Sequence, residues 1–187
     1  MVDPATEMWY TGKALEILKG ELNVPCIGFV GAPFTLASYM IEGGPSKNYQ
    51  TMKAFMYNET KAWHLLMDKL GTVMANYLNF QIESGAMVVQ IFDSWVGALD
   101  VDDYNEYVYP HMEKMVQTVK SKHPNVPLIS MGVNSAHLIP CLRKANPDVI
   151  AIDWKTDLAK VWSDLNYEVA VQGNLDPTAL FADWSVI

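Results

Sequence analysis

Arginine is almost missing from this chain. Arg143 is the only one, and twelve lysines face twenty-one acidic residues, for a formal charge of −8 over 187 residues. Nucleic acid is therefore not an expected partner, because a phosphate backbone requires a basic face. Cysteine is scarce too. Cys26 and Cys141 lie in apolar or helical context, with no metal-type spacing to each other or to any histidine, and read as buried reduced thiols. Long apolar runs are absent: stretches such as Met87-Val88-Val89 are far too short to span a bilayer. The opening Met1-Val2-Asp3-Pro4 lacks the basic-then-apolar order of an export signal. A cytoplasmic protein with no membrane partner is expected. No low-complexity linker or charge block divides the sequence, so residues 1–187 read as a single domain.

What is present is apolar content, at 50% of residues, enough for a real core. Its patterning alternates. A helix over 8–21 precedes a strand over 25–29, a helix over 34–41 ends at Glu42-Gly43-Gly44-Pro45, and a helical pattern returns over 49–56. A long amphipathic stretch over 60–84 carries Trp63, Leu66, Leu70, Val73, Tyr77 and Phe80 at helical spacing. Strand 87–92, helix 102–121, strand 128–131, helix 135–145, strand 149–152, helix 156–163, strand 168–171 and a helix start at Pro177 follow. Lys120, Lys122, His123 and Pro124 mark the end of the helix over 102–121. Such alternation predicts an α/β fold with parallel strands and outer helices, either a doubly wound sheet or a barrel. The roughly twenty-residue recurrence of the later strands favours the barrel. An eight-stranded barrel takes about 250 residues, so about five βα units would make part of one.

Residues 28–43 are the most informative block. A strand runs into Gly31-Ala32-Pro33 and a helix opens at once, with Pro33 suited to the first helical position. The junction should present unpaired N–H groups that attract carboxylates or phosphates, and Gly28 and Gly31 would let another molecule approach the backbone. Three further clusters follow strand ends: Phe92-Asp93-Ser94-Trp95, Asp153-Trp154-Lys155 and Gln172-Gly173-Asn174-Leu175-Asp176-Pro177. In parallel α/β folds that edge of the sheet binds ligands. Each cluster also has a structural reading. Asp176 before Pro177 is an N-cap, and Asp93 and Asp153 could be caps or acceptors at strand ends. Tyr39 could be a core aromatic, Lys47 and Lys155 solvated lysines, and His64, His111, His123 and His137 solvated or capping side chains. Ser94 lacks the context of a serine nucleophile.

The block Gly28, Phe29, Gly31, Pro33, Phe34, Thr35, Leu36, Tyr39, Glu42, Gly43 resembles the motif of the uroporphyrinogen decarboxylase family. The resemblance continues through the other three clusters, in order, from Asp3 to Phe181. It implies a (β/α)8 TIM barrel, usually a homodimer, that removes four acetate carboxyls from uroporphyrinogen III without metal or organic cofactor. By that resemblance Phe29 and the turn beyond it line the tetrapyrrole pocket, with Gly31, Ala32, Pro33, Asp93, Asp153 and Asn174 as further lining candidates. Tyr39 would contact a substrate carboxylate or order the reacting acetate, and Ser94 would hydrogen-bond another carboxylate. The family's amino-terminal arginine-rich segment, an early strand-end aspartate and a late histidine are not found in the sequence. The chain resembles the middle of the enzyme and is expected to have little activity alone. Two alternatives stay open: a corrinoid or coenzyme M methyltransferase of the same superfamily, for which His137 and Cys141 make a poor zinc pattern, and a non-catalytic porphyrin- or partner-binding paralogue.

Overall fold

The computed structural model describes residues 3–187; Met1 and Val2, half of the opening read for an export signal, lie outside the described residues. α1 (Pro4–Glu7) and α2 (Trp9–Glu21) lead to β1 (Ile27–Gly31), α3 (Pro33–Glu42), α4 (Gln50–Asn58) and α5 (Thr60–Glu83). β2 (Val88–Asp93), α6 (Val101–Tyr107), α7 (Tyr109–Lys122), β3 (Leu128–Gly132) and α8 (Ile139–Lys144) follow. The described chain ends with β4 (Val149–Ala151), α9 (Leu158–Asp164), β5 (Ala170–Gln172) and a 3-10 turn at Pro177–Phe181. The five strands form one parallel sheet in chain order, β1-β2-β3-β4-β5. This order lacks the reversal of a doubly wound sheet.

One face of β1 and β2 is packed under helices: Val30, Val89 and Ile91 share a core with Phe34, Trp63, Met67, Met112 and Leu142. The alternate residues of β1 face the other way, leaving Ile27 47% and Phe29 61% exposed. A second cluster of Ile139, Ile150, Ile152, Val161 and Val169 continues the covered side beneath β4.

The strand and helix order matches the sequence reading, with instructive local departures. β1 lies two residues later than expected, so Gly31 closes the strand and is not in the turn. The single helix expected over 102–121 is two, broken at Val108, because Pro110 supplies no N–H and crowds the preceding turn. On α5 the buried line is Trp63, Met67, Gly71, Ala75 and Leu78, one position round from the expected stripe, whose other members are only half-buried. A Cβ at Gly71 would stand 3.7 Å from both the His111 carbonyl oxygen of α7 and Pro33 Cγ of α3, an ordinary contact distance, so this line of α5 is the one that faces those two helices. Both cysteines are free, but only Cys141 is buried; Cys26 is half-buried at the sheet margin.

The edge of β1 carries an unusual cap. Gln81 of α5 accepts from the Phe29 N–H (2.9 Å) and donates to the Phe29 carbonyl (3.0 Å), as a neighbouring strand would. A Cβ on Gly28 would lie 2.8 Å from Gln81 Oε1. The close approach that Gly28 permits is thus taken by the chain itself, and Leu36 similarly occupies the space over Gly31.

Asp148 ties the later strands together. Its Oδ2 accepts from the Leu128 N–H and from Lys120 Nζ, both at 2.8 Å, and its carbonyl accepts from Ala170. Asp148→Ala would orphan the Leu128 N–H and is expected to destabilise the fold by about 2 kcal/mol in urea unfolding, with Asp148→Asn recovering part of the loss.

Candidate active site at the strand-end rim

Register places Gly31 beside Phe92, Asp93 beside Gly132 and Ala151 beside Gln172. The four clusters read from the sequence therefore leave the sheet along one edge, joined by the loop after β3.

The junction between β1 and α3 does attract a carboxylate, but it is the chain's own. Thr35 Oγ1 donates to Asp93 Oδ1 at 2.7 Å, and the Thr35 backbone N–H also supports that carboxyl. Thr35 Oγ1 in turn accepts from the Trp95 N–H at 3.3 Å. One threonine thus links the ends of β1 and β2. Asp93 is fully enclosed, and its Oδ2 and the buried Tyr104 hydroxyl have no hydrogen-bond partner among the described residues. Burial pushes the Asp93 carboxyl up to about 7, against the weaker opposing pull of Thr35. Burial, reinforced by Asp93, also raises Tyr104 well above its ordinary value.

Trp95 carries the aromatic floor of the site. Its ring lies against Tyr39 (centroids 3.8 Å apart) and Tyr49 (5.3 Å). Tyr39 is half-exposed, and its hydroxyl bonds to none of the described residues. Tyr49 sits at φ 52°, uncommon for a bulky residue. Its phenol is raised by burial, then by Tyr39 and Glu42, and stays a neutral donor. Ser94 is half-buried, its hydroxyl bonds to none of the described residues, and it lines a cavity of about 250 Å³ with Lys47, Tyr49, Gly97 and Asn134.

Asp153 resolves as a loop organiser. Its Oδ2 accepts from the Asn134 N–H at 2.5 Å, and its Oδ1 accepts from the Lys155 N–H and Thr156 Oγ1. Asn174 Nδ2 donates to the Thr156 carbonyl at 2.5 Å, and Asp176 caps the turn at Thr178. Ala32 and Pro33 are buried beneath the rim. Phe29 is brought to a different place: it packs edge-on against Phe92 and lines an apolar cavity of about 520 Å³ with Met8, Tyr77 and Gln81. Arg143 lies between α8 and α9, hydrogen-bonded to Asn146, away from the rim.

The histidines correct one expectation. His111 is buried, with Nε2 2.8 Å from His64 Nδ1 and Nδ1 3.2 Å from Asp68 Oδ1, where Lys114 also binds. Burial lowers the His111 pKa against the pull of Asp68. His137 Nε2 meets the Leu99 carbonyl at 2.7 Å, while Cys141 belongs to the core.

The profile of the family described as "Uroporphyrinogen decarboxylase (URO-D)" matches residues 1–187. The chain belongs to the uroporphyrinogen decarboxylase family. It is 49% identical over all 187 residues to the uroporphyrinogen decarboxylases of Staphylococcus carnosus and Staphylococcus aureus, and covers 54% of each. The chain thus spans about half the length of these relatives. A solved 2,3-dimethylmalate lyase of the PEP mutase/isocitrate lyase superfamily aligns with 100% of this chain and 79% of its own, at 12% identity and a TM-score of 0.42, too slight a likeness to carry an argument.

The sequence did not single out Thr35 as a link between strands or Asn134 as a rim residue. Thr35 could have been found by asking which donor would meet a strand-end carboxyl across a parallel pair.

Asp93 makes a pH prediction with a definite sign. Its carboxyl holds a proton in the fold between its ordinary 3.8 and about 7, where the unfolded chain releases it. Its contribution is therefore complete below the unfolded pKa and declines through about 7, by up to roughly 1.4 kcal/mol per pH unit. Asp93→Asn is expected to lose that slope and to gain stability relative to the parent as pH rises. Urea unfolding from about pH 4.5 to 7.5 checks it; parallel curves for the two proteins would refute it.

Proposed function

We propose that this chain supplies five βα units of a (β/α)8 barrel that decarboxylates the acetate side chains of uroporphyrinogen III to give coproporphyrinogen III. The supporting observation is the rim itself: the family's four motif clusters leave one edge of a parallel sheet, with the hydroxyls of Tyr39 and Ser94 bonded to none of the described residues. A polycarboxylate needs such donors.

The reaction needs no organic cofactor in principle. Protonation of a pyrrole ring carbon makes a cation; cleavage of the bond to the acetate carboxyl returns its electron pair to that cation, and carbon dioxide leaves. A proton added to the resulting methylene and one lost from the ring give the methyl product. The protein's task is positioning and electrostatics. In this reading Tyr39 orders the reacting acetate, Ser94 holds a second carboxylate, and Phe29 contributes apolar lining. Gly31, Ala32, Pro33, Asp93, Asp153 and Asn174 shape the walls from behind. The intact protein acts as a cytoplasmic homodimer, and residues 1–187 form one domain within it.

Replacing the matching segment of the Staphylococcus carnosus protein with these residues provides a test. The chimera is expected to release carboxyl groups stepwise from uroporphyrinogen, followed by chromatography of the oxidised products. Tyr39→Phe and Ser94→Ala should each lower its kcat/KM by roughly tenfold or more. The 187 residues alone are expected to be at least ~100-fold slower. A folded chimera without turnover would overturn the assignment.

A further inference from the structure

The loop between α3 and α4 brings a lysine to the rim, and the geometry points to a use for it: we infer that Lys47, with Ser94 and Asn134, forms a carboxylate subsite that contributes to affinity for a carboxylated tetrapyrrole. The inference deepens the tetrapyrrole reading and rests on it.

The backbone on either side of the lysine is tied down. Gly43 ends α3 in the left-handed conformation, Ser46 Oγ accepts from the Tyr49 N–H at 3.0 Å, and Glu42 Oε1 accepts from the Met52 N–H at 2.9 Å. Tyr49 then leans on Trp95. The loop thus presents Lys47 to the cavity it shares with Ser94 and Asn134.

The other wall depends on one glycine. A Cβ at Gly97 would stand 2.4 Å from the carbonyl oxygens of both Val133 and Asn134, so only glycine lets the loop after β3 come down beside Ser94. Asp153 fixes that loop through the Asn134 N–H, and Lys155 Nζ donates to Asn134 Oδ1 at 2.9 Å. Asn134 Nδ2 is left to donate elsewhere.

Donor availability singles out Lys47. Lys53 is held by the Ala98 carbonyl at 2.7 Å, and Lys155 by Asn134, 5.5 Å above the Trp154 ring. Among the described residues Lys47 makes no ion pair or hydrogen bond, and Ser94 has none through its hydroxyl. An ammonium, a hydroxyl and an amide N–H without internal acceptors, around one small cavity in a chain of net charge −8, suit a carboxylate.

Two measurements keep the subsite separate from the decarboxylase assignment. Fluorescence titration of the 187-residue chain with uroporphyrin III, the stable oxidised octacarboxylate, should give a Kd that Lys47→Gln raises about tenfold and Lys47→Arg largely restores, with the difference shrinking in high salt. In the chimera, Lys47→Gln should raise KM for uroporphyrinogen by a similar factor and leave kcat nearly unchanged. Lys47-dependent binding by a chimera without turnover would sustain the subsite while the decarboxylase reading falls. Normal turnover with Kd and KM indifferent to Lys47→Gln would overturn the subsite alone. Circular dichroism of each variant guards against loss of fold, and Gly97→Ala, which closes the gap from the other wall, should weaken uroporphyrin binding as well.

Discussion

The hydrogen bond from Thr35 to Asp93 holds the candidate site together. It joins the first turn of α3 to the end of β2 inside a region closed to water, where an unsatisfied donor or acceptor is most costly. Trp95 is attached to the same hydroxyl, and Tyr39 and Tyr49 rest on Trp95. Movement of Asp93 would therefore be felt by every aromatic group on that side of the rim. Asp153 does the corresponding work between β3 and β4. Two aspartates that look on paper like acids awaiting a substrate are instead the fastenings between successive strand-end loops. The groups left over for a ligand are mostly neutral hydroxyls and amides.

The same division bears on how an acidic protein could receive an anion at this rim. Buried carboxylates that are already hydrogen-bonded, or that keep a proton to higher pH as Asp93 does, repel an anionic ligand less than exposed ones would. The position of Arg143 on the helical side removes it from the same account, and the positive potential at the rim falls to lysines.

Much of the architecture could be read from the chain because its signals are local. Strand ends and helix starts are punctuated by Pro33, Asp176-Pro177 and Gly43, and their order alone demands parallel strands. What escaped was set by contacts between distant segments. The face of α5 that is buried is the one that packs on α3 and α7, and the approach of His64 to His111 belongs to that same contact. The chemistry expected of the junction between β1 and α3 was sound, since a carboxylate is there. Its source, a residue fifty-eight positions away, was not legible without the register of β1 on β2. Likewise nothing in the sequence around Ser94 announces Asn134, because their proximity depends on the missing side chain of Gly97.

Gln81 acts as a placeholder at the edge of β1. Its amide occupies both main-chain groups of Phe29 that would otherwise pair with another strand. A strand arriving at this edge must evict a side chain already making two hydrogen bonds, and the displaced amide must then find new partners beside Gly28. Association at β1 thus becomes an exchange between partners of similar strength, selective for a segment that brings apolar contacts to Phe29 and Ile27 as well as its own backbone. Chance edge-to-edge pairing offers only the backbone, and so gains little.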